Sequence, residues 1–220
     1  MLYIVATPIG NLEDITLRAL SVLKSVDSVL CEDTRRTKKL LFHYEISVPT
    51  YSFHSFNERG KENTIITLLQ NGKKIALVSD AGTPTISDPG SKLIARCHQE
   101  NIPVTCIPGP SAIITALAFS GAESPFQFLG FFPKKPGEIK RILERVNHFP
   151  GTSVFFESPH RLLKTLKYIP DTLHVIIAKE LTKIHETLFQ GSSKELYGKL
   201  EKTSIKGEYV LLLQNVKCEA

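Results

Sequence analysis

The stretch KIALVSDAGTPTISDPGSKLIARC, residues 74–97, decides how the rest of the chain is read. Its apolar run Ile75-Ala76-Leu77-Val78 predicts a buried strand. Asp88-Pro89-Gly90 then leads into Leu93-Ile94, with Asp88 expected as a helix N-cap and Pro89 at the first helical position. Between them, Ser79-Asp80-Ala81-Gly82-Thr83-Pro84 is turn-prone and almost free of bulk. Strand, tight loop and helix in that order make half of a parallel α/β unit, and ligands of such sheets gather at the carboxyl ends of the strands. A well-formed turn accounts for Asp88 and Pro89. It does not account for Asp80 or for the bare Ala81-Gly82-Thr83, whose backbone a ligand can approach closely. The loop carries Asp80 and Asp88 with no base before Lys92, whereas a phosphate cradle wants Gly with Lys or Arg. A cationic or zwitterionic ligand suits it better than a polyanion.

Outward from this loop the chain alternates strands and helices. Leu2–Ala6 predicts a first strand, turned by Thr7-Pro8-Ile9-Gly10-Asn11, and Ile15–Val26 has helical spacing through Leu20, Leu23 and Val26. Ser28–Cys31 is a second strand ending at Glu32-Asp33-Thr34-Arg35-Arg36, followed by a helix with Leu40 and Leu41. Tyr51–Phe53 predicts a third strand, His54–Gly60 a polar loop, and Thr64–Gln70 a helix stopped by Asn71-Gly72. Val104–Ile107 is a fifth strand, halted by Pro108-Gly109-Pro110 before a small-residue helix at Ser111–Phe119. The pattern predicts an α/β domain on a largely parallel sheet. Composition shifts at SGAESP, residues 120–125, which divides the chain into domains 1–119 and 120–220. In the second, aromatic strand residues precede the basic loop Pro133-Lys134-Lys135-Pro136-Gly137, and Ser192-x-x-Glu195 is a capping box. Two α/β domains with a cleft between them is the expected architecture.

Composition narrows the class. At 220 residues with 42% hydrophobic content, the chain holds enough apolar material for a real core. No stretch approaches the roughly 20 apolar residues that cross a bilayer, and Met1-Leu2-Tyr3-Ile4-Val5 lacks the charged start of a signal peptide. Cys31, Cys97, Cys106 and Cys218 form no CxxC pair, so neither a zinc site nor a disulfide framework is expected, and the compartment expected is the cytoplasm. The seven histidines show no metal-ligand spacing, and Ser158-Pro159-His160 is no nucleophile elbow, so neither a metal nor covalent catalysis is suggested. A net charge of +5 permits nucleic-acid binding without proving it.

Four polar turns follow strands of the first domain: TPIGN at 7–11, EDTRRT at 32–37, SDAGTP at 79–84 and PGPSA at 108–112. In a parallel sheet all four project from one edge and can line one pocket. Pro108-Gly109-Pro110-Ser111 reads equally as a self-capping helix start and as a helix N-terminus offering free N–H groups to a ligand. Glu32-Asp33-Thr34-Arg35-Arg36 reads as a solvated helix start or as a general base or ligand anchor beside a phosphate contact; its strand-end position favours the second.

LYIVATPIGNLEDITLRAL from Leu2, CEDTRRTKKLL from Cys31, ALVSDAGTPTISDPG from Ala76, IPGPSAIITAL from Ile107, GFFPKK from Gly130, FFESPHRLL from Phe155, KELTKIHE from Lys179 and KGEYVLLLQ from Lys206 run in order to Gln214. Together they resemble the tetrapyrrole methylase superfamily, in its branch acting on small-subunit ribosomal RNA. The resemblance implies two α/β domains of tetrapyrrole-methylase type with S-adenosyl-L-methionine in the cleft, usually in a homodimer. It implies transfer of a methyl group to a cytidine ribose 2′-hydroxyl of 16S rRNA within the small ribosomal subunit. By motif position, Pro8, Asp80, Ala81, Gly82, Thr83 and Ile86 would line the donor, and Pro108, Gly109, Ser111 and Ala112 would meet its adenosine part. Glu157, Leu181 and Thr182 would be the second domain's contacts. The donor carries a sulfonium, an ammonium and one carboxylate, matching the charge inferred for the loop. Longer relatives carry a further C-terminal helical segment with no counterpart after Gln214, which bears on the grip on the subunit.

A ribose hydroxyl is a poor nucleophile until its proton is taken, so a base is expected, and the candidates are Glu32, Asp33 and Glu180. Arg35, Arg36, Lys38, Lys39, Lys134, Lys135, Arg161, Lys179 and Lys183 are the expected RNA contacts. Fold alone admits two other readings, a methyltransferase acting on a small tetrapyrrole and a ribosome-assembly factor without catalysis.

Overall fold

A computed structural model describes residues 1–122 and 124–215; Cys218 lies outside them. The chain forms two compact units, Met1–Ser111 and Ala112–Ala220.

The first unit contains strands β1 (Leu2–Val5), β2 (Ser28–Cys31), β3 (Thr50–Ser52), β4 (Ile75–Leu77) and β5 (Val104–Ile107), all parallel, in the order β3-β2-β4-β1-β5. Helices α1 (Leu17–Ser25), α2 (Thr34–His43), α3 (Glu58–Gln70) and α4 (Ser91–Gln99) connect the first five strands in turn. Side-chain alternation along the strands explains how both faces are covered. Val29, Cys31, Ala76 and Val78 join Ala19 and Leu23 of α1 and Leu40 and Leu41 of α2 in one core. Leu30, Ile75 and Leu77 point the other way, into a second core with Ile65, Ile66 and Leu69 of α3 and Leu93 and Cys97 of α4. The continuous apolar runs of β2 and β4 are what a strand buried on both faces requires.

The second unit holds α5 (Ala112–Ser120), β6 (Phe126–Phe131), α6 (Pro136–His148), β7 (Thr152–Glu157), α7 (Leu162–Leu166), β8 (Leu173–Lys179), β9 (Thr187–Gly191), α8 (Ser193–Leu200) and β10 (Tyr209–Asn215). Its sheet runs β6-β7-β10-β8-β9, with only β6 and β7 parallel. Leu211 and Leu213 of β10 pack with α6, α7 and α8, and α5 packs against β8 and β10. That last contact moves the boundary. The division falls ahead of α5, not after residue 119, because this nearly all-apolar helix belongs with the second sheet. The expected capping box is formed: Ser192 Oγ accepts from the Glu195 N–H, and Glu195 accepts from the Ser192 N–H.

Two local expectations fail. Helix α3 starts at Glu58, well before Thr64, because Asn57 turns the chain by accepting from the His54 N–H at 2.9 Å. Helix α4 starts at Ser91, and its N-cap is Gly90 at φ 117°. Asp88 is therefore not the cap and Pro89 is not the first helical residue. A Cβ at Gly90 would sit 2.5 Å from Leu77 Cδ2, so the cap packs directly on β4 and only glycine fits. Among the described residues no helix is long and apolar enough to cross a membrane.

Candidate active site

The strand order creates a switch point. From β1 the chain leaves toward β2 on one side, and from β4 it leaves toward β5 on the other, although β1 and β4 are neighbours. The loops after these two strands part company, and the crevice between them is where open α/β sheets hold ligands. Here the two loops are fastened together. The Thr7 N–H donates to Gly82 O at 2.9 Å, and the Gly82 N–H donates to Thr7 O at 3.0 Å. Thr7 Oγ1 donates to Ser79 O at 3.2 Å, and Ser79 Oγ donates to Ala81 O and Gly82 O. Thr83 Oγ1 reaches Pro110 O at 3.5 Å, which ties in the loop after β5.

Gly82 stands at φ 77°, and a Cβ there would meet Ile9 Cγ2 at 3.4 Å and Pro110 O at 3.8 Å. Both are ordinary contact distances, so the missing side chain answers first to the left-handed backbone that the exchange with Thr7 requires. At Gly109 a Cβ would lie 3.0 Å from Ala6 Cβ, another tight backbone approach. Pro8, Ala81, Thr83 and Ser111 are half-buried, while Ile86, Pro108 and Gly109 are exposed, and Ala112 opens α5. No Lys or Arg occurs from Ser79 to Ser91. Small and apolar surface, backbone edges and nearby carboxylates fit a sulfonium donor.

The three base candidates separate. Asp33 caps α2: its Oδ1 accepts from the Arg35 N–H at 2.8 Å, and its carboxylate holds the Arg35 guanidinium at 3.1 and 2.8 Å. Those contacts hold its pKa down at about 2, too low to accept a proton readily. Glu180 Oε1 takes Lys183 Nζ at 2.9 Å and the Glu208 N–H at 2.8 Å. Although burial opposes it, those partners keep its pKa below the ordinary value. Glu32 has no ion-pair partner among the described residues. Burial raises its pKa and Asp80 adds to the rise, against the Asp80 backbone N–H and the charges of His54 and Arg36. Asp80 itself turns toward the β2 loop: Oδ1 accepts from the Asp33 N–H at 3.0 Å and Oδ2 lies 3.6 Å from Arg36 Nε.

Two further acidic residues take places that the sequence alone does not show. Asp88 is half-buried, and burial first, then the Glu32 charge, pushes its pKa to about 7 against the Ser79 hydrogen bond. Glu58 is buried and accepts from the Gly90 N–H at 3.2 Å. Glu58 stands inside HSFNE, directly after a strand, and that polar run reads in sequence as solvent loop.

In the second unit, Glu157 and Arg161 are committed to each other. Arg161 Nη2 lies 2.7 Å from Glu157 Oε1 and also donates to Phe132 O, while Glu157 accepts from the Ser158 N–H and from Thr165 Oγ1. Lys179 Nζ donates to Ser204 O, and Lys183 bridges Glu180 and Glu208. Leu181 is buried; Thr182 sits at φ 64° with its N–H on Glu186. Of the expected RNA contacts, those presenting their charge outward are Arg35 (86% exposed), Arg36 (60%), Lys38 and Lys39 in the first unit and Lys134 and Lys135 in the second.

The family model for Tetrapyrrole (Corrin/Porphyrin) Methylases matches residues 1–197. The chain is 49% identical over 218 residues to Ribosomal RNA small subunit methyltransferase I of a Hydrogenobaculum species, covering 96% of this chain and 94% of that one. It is 47% identical to the protein of the same name in Thermotoga maritima, covering 96% and 97%. Among solved structures, a cobalamin biosynthetic enzyme, cobalt precorrin-4 methyltransferase, superposes with TM-score 0.72 at 18% identity, over 97% of this chain and 94% of that one. That last likeness concerns the fold alone. With 47–49% identity to these relatives over 96% of its length and the methylase pattern matched over residues 1–197, the chain belongs to the tetrapyrrole (corrin/porphyrin) methylase family, in the group of ribosomal RNA small subunit methyltransferases I.

Proposed function

We propose that this enzyme transfers the methyl group of S-adenosyl-L-methionine to a cytidine ribose 2′-hydroxyl of 16S rRNA in the small ribosomal subunit, in the cytoplasm. The observation that carries the reading is the fastened switch-point crevice, acidic and free of Lys and Arg from Ser79 to Ser91, in a chain 49% identical to a ribosomal RNA methyltransferase. The donor, when bound, supplies an electrophilic methyl on a positively charged sulfur.

The protein's own part is position and proton. Pro8, Ala81, Gly82, Thr83 and Ile86 would hold the donor against the β1 and β4 loops, with Ser111 and Ala112 on the side of its adenosine part, and so orient its methyl for displacement. With the donor bound, its methyl would be displaced from sulfur by the ribose oxygen, and Glu32 would take the hydroxyl proton. Glu32 fits because burial makes it a stronger base than an exposed carboxylate. Arg35, Arg36, Lys38, Lys39, Lys134 and Lys135 bind phosphates and orient the RNA. Glu157, Arg161, Lys179, Glu180 and Lys183 hold the second unit's loops in shape. Two copies associate as a homodimer, supported by exposed Phe126 and Phe131 on edge strand β6 and exposed Ile114 and Phe119 on α5.

Incubation of the purified protein with methyl-labelled donor and, in parallel, purified small subunits or a corrinoid or porphyrin acceptor tests the reading. Label should enter 16S rRNA; label entering only a corrinoid or porphyrin, or neither, would refute it.

A further inference from the structure

Helix α2 shows two different sides. Thr37, Leu40 and Leu41 are buried in the core, while Lys38, Lys39, Phe42 and His43 face outward. Lys38 and Lys39 lie four and three residues before Phe42, so all three meet on one helix surface. Phe42 is 86% exposed, an unusual place for a bare phenyl ring. It borders an open groove of about 1010 Å³ whose apolar lining includes Leu12, Ile46 and Val48. Two of its lining residues are tied to Tyr44: Tyr44 Oη donates to Leu12 O at 2.7 Å, and the His43 and Tyr44 rings meet edge to face at 4.7 Å.

The chemistry selects an occupant. An exposed aromatic face and an apolar lining suit a flat, weakly polar ring. Lys38 and Lys39, against the single carboxylate of Glu45, suit an anion attached to that ring. A nucleotide of single-stranded RNA unites the two, whereas base-paired RNA hides its ring faces. We propose that this groove takes an unstacked nucleobase of the RNA substrate, stacked on Phe42, with its neighbouring phosphates on Lys38 and Lys39. The inference rests on the RNA-methylating reading above. It adds to that reading a base-binding subsite on the far half of α2, beside the phosphate contacts.

Phe42→Ala, Phe42→Tyr and the double variant Lys38→Gln with Lys39→Gln would be compared with wild type for polarisation-detected binding of a fluorescent single-stranded 16S-derived oligonucleotide. Donor affinity by calorimetry and mass by sedimentation would be measured on the same samples. Phe42→Ala should weaken RNA binding about tenfold with an unchanged salt slope, since stacking releases no counterions. Phe42→Tyr should restore it, and the lysine double variant should flatten the salt slope. Donor affinity should hold throughout. Equal RNA binding by wild type and Phe42→Ala would overturn the proposal. So would loss of binding together with conversion from dimer to monomer, which would make the groove a contact with a second copy. Because binding is read without turnover, wild-type protein that binds RNA but transfers no methyl group would refute the enzymatic reading and leave the groove standing.

Discussion

Thr7 and Gly82 exchange both of their backbone hydrogen bonds across the switch point, joining the loop after β1 to the loop after β4. The exchange depends on Gly82 at φ 77°, a conformation that costs an L-residue about 1–2 kcal/mol. Gly82→Ala should therefore lose about that much stability in urea unfolding, since its Cβ meets Ile9 at ordinary contact distance. Gly82→Val, which must also displace Ile9, should lose more. Donor affinity should fall with the loop's distortion in both. Gly82→Ala with unchanged stability would show that the bridge is not strained by a side chain.

Glu157 and Arg161 form an ion pair closed off by the Phe132 carbonyl, the Ser158 N–H and the Thr165 hydroxyl. Removing Arg161 leaves the buried Glu157 carboxylate without its counter-charge, at a cost of about 3 kcal/mol. Arg161→Ala should lower the urea midpoint sharply, while Lys134→Ala, on an exposed loop, should not move it. Full stability of Arg161→Ala with weakened RNA binding would restore Arg161 to the phosphate contacts that its sequence position suggests.

Asp88 gives stability a pH dependence of definite sign. Its folded pKa of about 7 lies above the ordinary 3.8, so the folded state holds the proton more tightly than the unfolded chain. Its contribution is complete below pH 4 and is lost as pH rises through 7. Asp88→Asn, which stays neutral, should match wild type at pH 4 and exceed it in urea midpoint at pH 8. Glu32→Gln should lower the Asp88 pKa, because the Glu32 charge is one of its causes. An Asp88→Asn protein less stable than wild type at pH 8 would contradict this.

Arg36 and the Lys134-Lys135 pair test the division between donor and RNA. Charge removal at either place should leave donor affinity intact and raise KM for small subunits. It should also flatten the fall of RNA affinity with salt by about 0.7 log–log unit per lost phosphate contact. Arg36 has a second role, since its guanidinium lies 3.6 Å from Asp80. Impaired donor binding with an unchanged salt slope would place these residues in the donor pocket.

What the sequence made legible was whatever depends on local pattern. The apolar runs at Val29–Cys31 and Ile75–Val78 announce strands buried on both faces, and Ser192 with Glu195 announces a helix start. The resemblance motifs marked the switch-point loops. Illegible was whatever depends on partners distant in sequence. Asp88 looks like a cap because Asp-Pro commonly opens helices; only the packing of Gly90 on Leu77 shows the helix starting later. Glu157, Arg161, Glu180 and Lys183 look like ligand or phosphate contacts because they are charged and follow strands. Their pairing with each other, and with Thr165 and Glu208, appears only when the chain is folded. The ranking of Glu32 above Asp33 likewise rests on a helix cap and on burial, neither of which adjacent carboxylates reveal.

The central claim is a methyl group on a ribose oxygen, and its chemistry permits a direct measurement. Alkali cleaves RNA through attack of the 2′-oxygen on the adjacent phosphate, so a methylated 2′-oxygen leaves its phosphodiester bond intact. Small subunits from cells lacking the modification would be labelled with methyl-tritiated donor by the purified protein, and their 16S rRNA would be hydrolysed in alkali. The expected result is label in an alkali-stable dinucleotide whose 5′ nucleoside is a methylated cytidine. Label released in mononucleotides, which would mean methylation of a base, or no transfer to the RNA at all, would contradict the account.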